Sequence, residues 1–366
     1  MEQIKRFFEC LVPVTSCNFR CEYCYVAQLG GNSGKITECK YSAEQMQSAL
    51  TKERLGGTCY FSFCGAGETL FHPELPSLVA ALLKEGHYVN ITTNGTFSKG
   101  IERLLALVRP EDCCHLLLSF SLHWIELQKR GLTETFAANV KAVKQAGCSI
   151  LVQFNLYDGY LPHLDEIREF CLTHFGALPQ VAATRKEEGT ITLHTNMPVE
   201  EYLRIGRTFE SPLFEFTMRN FNRPFHKFCY AGAWSFVMNM ERGTIRPCYC
   251  NGAEVDIFAD PESPVPIEPV GVFCHNAYCI NSSHYLSLGN IPSVYGAVTY
   301  AGMRNREHAA WFTPELQAFL SQKLYAANEQ KSFVGKIGWN ICEGNLILGR
   351  ALQRRYAKLT SKRDSK

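Results

Sequence analysis

From residue 5 to about 195 the chain alternates short apolar runs with longer stretches in which apolar positions recur at helical spacing. Short runs bounded by turn residues read as strands buried on both faces, and the longer stretches read as amphipathic helices. Strands are expected at Phe7–Val14, Cys59–Phe63, Tyr88–Thr93, Leu116–Leu122, Ser149–Leu156 and Gln180–Thr184. Helices fill the gaps at Ser42–Arg54, Pro73–Glu85, Lys99–Val108, Thr133–Gln145 and Leu161–Phe175. This alternation predicts an α/β fold with a parallel sheet, and six units predict a partial (β/α)6 TIM-like barrel. Residues 196–225, helical and then irregular in pattern and punctuated by Pro198, Pro212 and Pro224, read as a bridge between domains. Beyond it, a hairpin is expected at Ala233–Met240 and Thr244–Pro247, then helices at Pro314–Ala327 and Asn345–Leu359. The expected division is a barrel over 1–220, a small second region over 221–310 and helices over 311–366.

Ligands of parallel barrels collect at the carboxyl ends of the strands, so those ends are read first. The second expected strand runs into Cys64-Gly65-Ala66-Gly67-Glu68-Thr69, where two glycines let the backbone approach a ligand or simply make a tight turn. The third ends in Thr92-Thr93-Asn94-Gly95. Alternation sends Ser119, Ser121 and His123 of the fourth to one side, and Gln153 and Asn155 of the fifth likewise. Polar groups inside a barrel need partners, supplied by the protein itself or by a zwitterionic ligand. His123 could exchange a proton with a substrate near neutral pH or merely cap its strand.

Composition narrows the setting. The 366 residues are 46% hydrophobic, enough for a large core, and Lys+Arg at 37 against Asp+Glu at 35 gives no reason to expect nucleic-acid or membrane binding. No apolar run approaches the roughly 20 residues of a membrane span. Seventeen cysteines are too many to ignore, yet the count is odd and no signal-peptide pattern precedes them. A reducing cytoplasm is the expected compartment.

The cysteines form two groups. Cys17, Cys21 and Cys24 lie in a Cys-x3-Cys-x2-Cys run directly after the first expected strand. Three thiolates leave one corner of a zinc or one iron of a cubane unfilled, so the run suits a zinc knuckle, a redox sensor or a cluster with an open iron. Cys229, Cys248, Cys274 and Cys279, on the hairpin and its loops, could together close a tetrahedral zinc or a second cluster, and spacing does not choose the metal.

The first group, with Tyr23 beside its last cysteine, resembles the cluster loop of the radical S-adenosylmethionine (SAM) enzymes. The resemblance implies a [4Fe-4S] cluster on Cys17, Cys21 and Cys24, with SAM on the open iron and cleaved by one-electron reduction to a 5'-deoxyadenosyl radical. It implies an external reductant such as flavodoxin or ferredoxin. Tyr23, Gly65, Ala66, Gly67, Glu68, Asn94, Ser119, Ser121, Gln153 and Asn155 are then the expected SAM contacts, with Gly65–Glu68 resembling the family's Gly-Gly-Glu turn and Ala66 interposed. Cys229-x13-Gly243-x4-Cys248, followed by Leu288-Gly289-Asn290-Ile291, resembles the SPASM and Twitch modules and implies one auxiliary [4Fe-4S] cluster on Cys229, Cys248, Cys274 and Cys279. Cys250 is left as an alternate ligand or a catalytic hydrogen-atom donor, with Cys59, Cys64 and Cys342 as rival thiols, and His123 as a second catalytic candidate. Because the first strand begins within ten residues, leaving no room before it for a leader-binding domain, the expected substrate is a small molecule, sugar-like or a glycan precursor. A ribosomal-peptide maturase or epimerase and a non-enzymatic zinc protein are the alternatives.

Overall fold

The computed structural model describes residues 2–187, 191–249, 252–274, 276 and 278–345. Among them are ten strands: β1 Arg6–Val12, β2 Cys59–Gly65, β3 Tyr88–Thr93, β4 Leu116–Ser121, β5 Ser149–Leu156, β6 Gln180–Ala183, β7 Arg185–Lys186, β8 Thr192–Leu193, β9 Ser235–Asn239 and β10 Thr244–Arg246. Strands β1 to β6 pair in sequence order, all parallel, as a partial (β/α)6 barrel. Their residues are buried on both faces, which is why they read as nearly continuous apolar runs. β1 stops short of the expected Val14 because Pro13 has no N–H for the ladder, and Val14 N bonds back to Val12 O at 2.8 Å.

Helix breaks follow from caps. The helix expected over Ser42–Arg54 is two, Ala43–Ala49 and Lys52–Leu55, because the Thr51 side chain accepts from Arg54 N and starts a new N-terminus. Helix Leu164–Phe175 begins later than expected because a 3-10 turn, Asp158–His163, contains Pro162. Pro314–Ala327 likewise divides into Pro314–Leu320 and Leu324–Ala327. The helix expected from Asn345 to Leu359, with its basic residues, lies outside the described residues beyond Asn345.

The expected boundary at residue 220 is not where the sheet ends. β9 pairs parallel with the free edge of β1, from Phe7↔Ser235 to Leu11↔Asn239, and β10 pairs antiparallel with β9. The hairpin therefore extends the barrel sheet to eight strands, in the order β10-β9-β1-β2-β3-β4-β5-β6. Phe236, Phe8 and Phe61 stack across β9, β1 and β2 with ring centroids 5.3 and 4.8 Å apart. Nor is 196–225 a free bridge: it forms helices Val199–Arg207 and Pro212–Asn220, and Ser211 ties the second to β6 by accepting from Val181 N at 3.0 Å. Helices Ser282–Leu288 and Tyr300–Arg304 close the end of the barrel where the strands begin. There the Phe7 ring stacks on His284 at 5.5 Å and Tyr60 meets Tyr300 edge-on at 5.3 Å. No helix among the described residues is long and apolar enough to cross a membrane.

Candidate active site

The loop from Cys17 to Cys24 leaves β1 at its carboxyl end and runs into the short helix Tyr25–Gln28, with all three cysteines half-buried and free of disulfides. Its two aromatic residues fix its shape. Phe19 and Tyr23 are buried, the Phe19 ring lies edge-on to His123 at 5.7 Å, and the Tyr23 hydroxyl pairs with His123 Nδ1 at 2.6 Å and with the Tyr160 hydroxyl at 2.8 Å. Glu126 accepts from Arg20 N at 3.1 Å and Tyr157 donates to Glu22, pinning the loop on both flanks. Burial, then repulsion from Cys24 and Cys17, pushes the Cys21 thiol up to about 12, so a cation at the loop is what would make thiolates stable there.

The turn after β2 is shaped by that loop. A Cβ on Gly67 would stand 2.1 Å from Ser16 O and 2.8 Å from Ser16 N, and Glu68 N donates to the same Ser16 oxygen at 2.8 Å. Gly67 thus lets the turn lie flat against the chain entering Cys17. Glu68 is buried and occupied: Oε1 accepts from Thr93 Oγ1 at 2.6 Å and Leu70 N at 3.1 Å, and Oε2 from Asn94 N at 2.7 Å. Asn94, in turn, donates to Asn18 Oδ1 at 2.7 Å and towards Cys17 Sγ at 3.9 Å.

Inside the barrel, Ser119 Oγ donates to Asn90 Oδ1 at 2.7 Å and Asn90 Nδ2 to Ser62 Oγ at 3.2 Å. Asn90, Ser119 and Gln153 line a cavity of about 200 Å³ that also meets Ser283, His284 and Arg304 from the closing helices. On the β1 side, Glu9 is buried, accepting from Cys64 Sγ at 3.4 Å and Asn281 Nδ2 at 3.1 Å. Burial raises its pKa to about 7, against the opposing hydrogen bonds from Cys64 and Asn281 and the more distant charge of Arg304. In the sequence Glu9 shows only as one carboxylate in the apolar run Phe7–Val14, a signal that does not by itself mark a site.

The second cysteine group converges. Cys229, Cys248, Cys274 and Cys279 line one largely apolar cavity together with Tyr249, Tyr278, Asn281 and Tyr285. Burial pushes the Cys229 thiol up to about 12, aided by the charges of Cys248 and Cys274, and Cys279 is pushed well up by burial and by the other three. Four thiols lining one largely apolar cavity, Cys229 from before β9 and the other three from the stretch between β10 and helix Ser282–Leu288, are a donor set for a metal or a cubane. Asn281 lines this cavity and bonds Glu9, so the carboxylate sits between the two sites.

Residues 11–171 match the family model of the radical SAM superfamily. The barrel is a radical SAM domain. Solved structures similar to the chain include SuiB of Streptococcus suis bound to S-adenosylmethionine, at 14% identity and a TM-score of 0.49, over 70% of this chain and 64% of that one. They also include anSMEcpe with bound AdoMet and the Cp18Cys peptide, at 13% identity and 0.48, over 94% and 99%. Archaeal TYW1 is similar at 16% identity and 0.31, over 46% and 57%. The chain thus matches less than two thirds of the length of SuiB.

As a radical SAM domain the barrel requires a [4Fe-4S] cluster and SAM, and the half-buried three-cysteine loop at a strand end fits that pair. Three expected site residues make polar contacts within the protein. His123, expected as a proton carrier, is buried and held neutral, its pKa pushed down to about 4, with Nδ1 engaged by Tyr23. Tyr23, expected against the cofactor, spends its hydroxyl on that same contact. Both anchor the cysteine loop. Glu68, expected at the SAM amino group, joins the β2 turn to the end of β3. Gly65, Asn94, Ser119, Ser121, Gln153 and Asn155 stand at or below the strand ends as expected, half-buried or buried, while Cys250 lies outside the described residues.

Proposed function

We propose that this enzyme holds two iron–sulfur clusters and oxidises a polar substrate inside its barrel. The observation that carries the two-cluster reading is the single cavity shared by Cys229, Cys248, Cys274 and Cys279. Cys17, Cys21 and Cys24 would hold the catalytic cluster. The backbone of Gly65, Ala66 and Gly67 would meet the amino group of SAM. Asn94, Ser119, Ser121, Gln153 and Asn155 would contact the rest of that cofactor along the strand ends. When bound, these groups supply a deoxyadenosyl radical and, at the second site, a one-electron acceptor. Oxidising a C–H bond removes a hydrogen atom, an electron and a proton. Glu9, whose pKa near 7 lets it accept a proton at neutral pH, is placed between the two sites to take the last. A sugar-like molecule or glycan precursor and a short peptide are the two substrate classes we put to the test.

The test is anaerobic reconstitution with iron and sulfide, followed by reduction and addition of SAM. The expected result is about eight irons per chain and formation of 5'-deoxyadenosine, with about four irons lost on replacing Cys229 and Cys248 by alanine. Four irons with zinc at the second site would replace the auxiliary cluster by a structural metal. Stimulation of deoxyadenosine formation by a peptide but by no sugar derivative would assign the substrate to the peptide class.

A further inference from the structure

A buried cation in a folded protein has its donors satisfied, because each one left unpaired away from water costs free energy. Three such cations here obey the rule through main-chain carbonyls. Arg306 donates to the carbonyls of Leu178, Pro179, Phe209 and Glu210, Arg6 to those of Leu55 and Ala233, and Lys323 to those of Ser287, Tyr295 and Val298. Arg304 does not. It is 3% exposed and lies 3.7 Å over the Tyr300 ring. Its one hydrogen bond among the described residues, to Ser283 O at 3.2 Å, uses the other terminal nitrogen and leaves NH1 buried without a partner. Among the described residues no ion pair reaches it, and Glu9 is felt only as a charge at a distance.

The guanidinium borders the barrel cavity, among Asn90, Ser119, Ser283 and His284. It also sits at the opposite end from the cysteine loop. Gln180 Nε2, at the start of β6, donates to Arg304 O, and Tyr60 and Phe7, at the starts of β2 and β1, pack around the same floor. The loop leaves β1 at its far end, five residues or roughly 17 Å along the strand. A SAM molecule seated on that loop would not reach the floor with its carboxylate.

We propose that Arg304 anchors a carboxylate of the substrate at the floor of the barrel cavity, fixing which end of the molecule faces the cysteine loop. The inference rests on the reading that the substrate enters the barrel. Arg185, the other cation lining the cavity, is held by Glu187 at 2.5 Å, so Arg304 with its unpaired terminal nitrogen leaves one uncompensated positive charge there, which suits a single negative charge. A phosphate dianion would leave its second charge uncompensated, with Glu9 nearby. The carboxylate can belong to a small molecule or to an acidic side chain of a peptide, and both present the same chemistry to Arg304.

The experiment measures thermal unfolding of the reconstituted full chain titrated with glutarate, with glutaramide as its uncharged analogue and with acetyl-Gly-Glu-Gly-amide. Saturable stabilisation by glutarate and none by glutaramide is expected, with apparent affinity for glutarate weakened about tenfold or more in Arg304→Gln and largely kept in Arg304→Lys. Stabilisation by the peptide as well assigns the acid to a peptide side chain, and by glutarate alone to a small molecule. Equal effects of glutarate and glutaramide on the unaltered protein overturn the anchor without recourse to any variant, as does a glutarate response that survives Arg304→Gln. Deoxyadenosine formation by the unaltered protein is scored separately. Its absence alongside glutarate binding would remove the enzymatic reading while leaving the anion site in place.

Discussion

At the scale of single residues, the barrel keeps its ionisable groups in unusual states. Glu9 binds its proton more tightly in the folded chain than in the unfolded one, with a pKa of about 7 against the ordinary 4.5. A raised carboxyl pKa contributes stability fully below the unfolded value, and that contribution is lost as pH climbs through the folded one. The ionised form at about pH 8 therefore costs the fold roughly 3 kcal/mol relative to the protonated form. Glu9→Gln keeps the size and removes the charge, and its one amide oxygen can still accept from Asn281 Nδ2. Its melting temperature is expected to stay level between about pH 6 and pH 8 while that of the natural protein falls, the two converging near pH 5. Parallel curves across that range would mean that Glu9 ionises as freely as a surface carboxylate. Residues of this kind are the hardest to read from sequence. Glu9 is one polar letter in an apolar run, whereas Gly67 is a visible glycine whose reason, the passing Ser16 backbone, lies 51 positions away in the chain.

At the scale of elements, legibility depended on whether an element is defined by its own residues. All six barrel strands were readable to within two residues, because a strand buried on both faces is written as a local apolar run. The three-cysteine loop was readable for a similar reason, its cysteines lying within eight positions. What holds that loop was not, because His123 and Tyr160 come to it from the β4 and β5 connections, and His123 looks in sequence like a site residue. The loop's rigidity is testable at Tyr23. Tyr23→Phe removes one hydroxyl and leaves His123 Nδ1 and the Tyr160 hydroxyl buried without it, a cost of about 1–3 kcal/mol. The expected outcome is a lower melting temperature and iron lost from the barrel site on gel filtration, while iron in the four-cysteine cavity stays. If Tyr23→Phe kept both its stability and its full iron content, the loop would be held by Phe19 and the backbone alone.

At the scale of the whole molecule, the second cysteine region is part of the barrel's construction. A sequence pattern shows that β9 is a strand, but pairing partners are chosen by the open edge of β1, which exists only once the sheet is assembled. The consequence is a fold that residues 1–220 cannot complete. Without β9, β1 offers an unpaired edge, and Phe8 loses the stacked ring of Phe236. Phe236, Val237 and Met238 are all buried, and at roughly 2 kcal/mol each their burial alone is comparable with the whole stability of an ordinary domain. The floor goes as well, since His284, Tyr285 and Tyr300 no longer cover Phe7 and Tyr60. A chain ending at residue 220 is therefore expected to aggregate or to unfold without a cooperative transition, read by gel filtration and thermal unfolding. A cooperative monomer would instead mean that β1 to β6 carry their own stability. The region after 220 would then be an attachment, and the position of Glu9 between two sites would be an accident of docking. Cooperative loss of both regions together would tie the two sites into one folding unit, and Glu9 would then hold a fixed place between them.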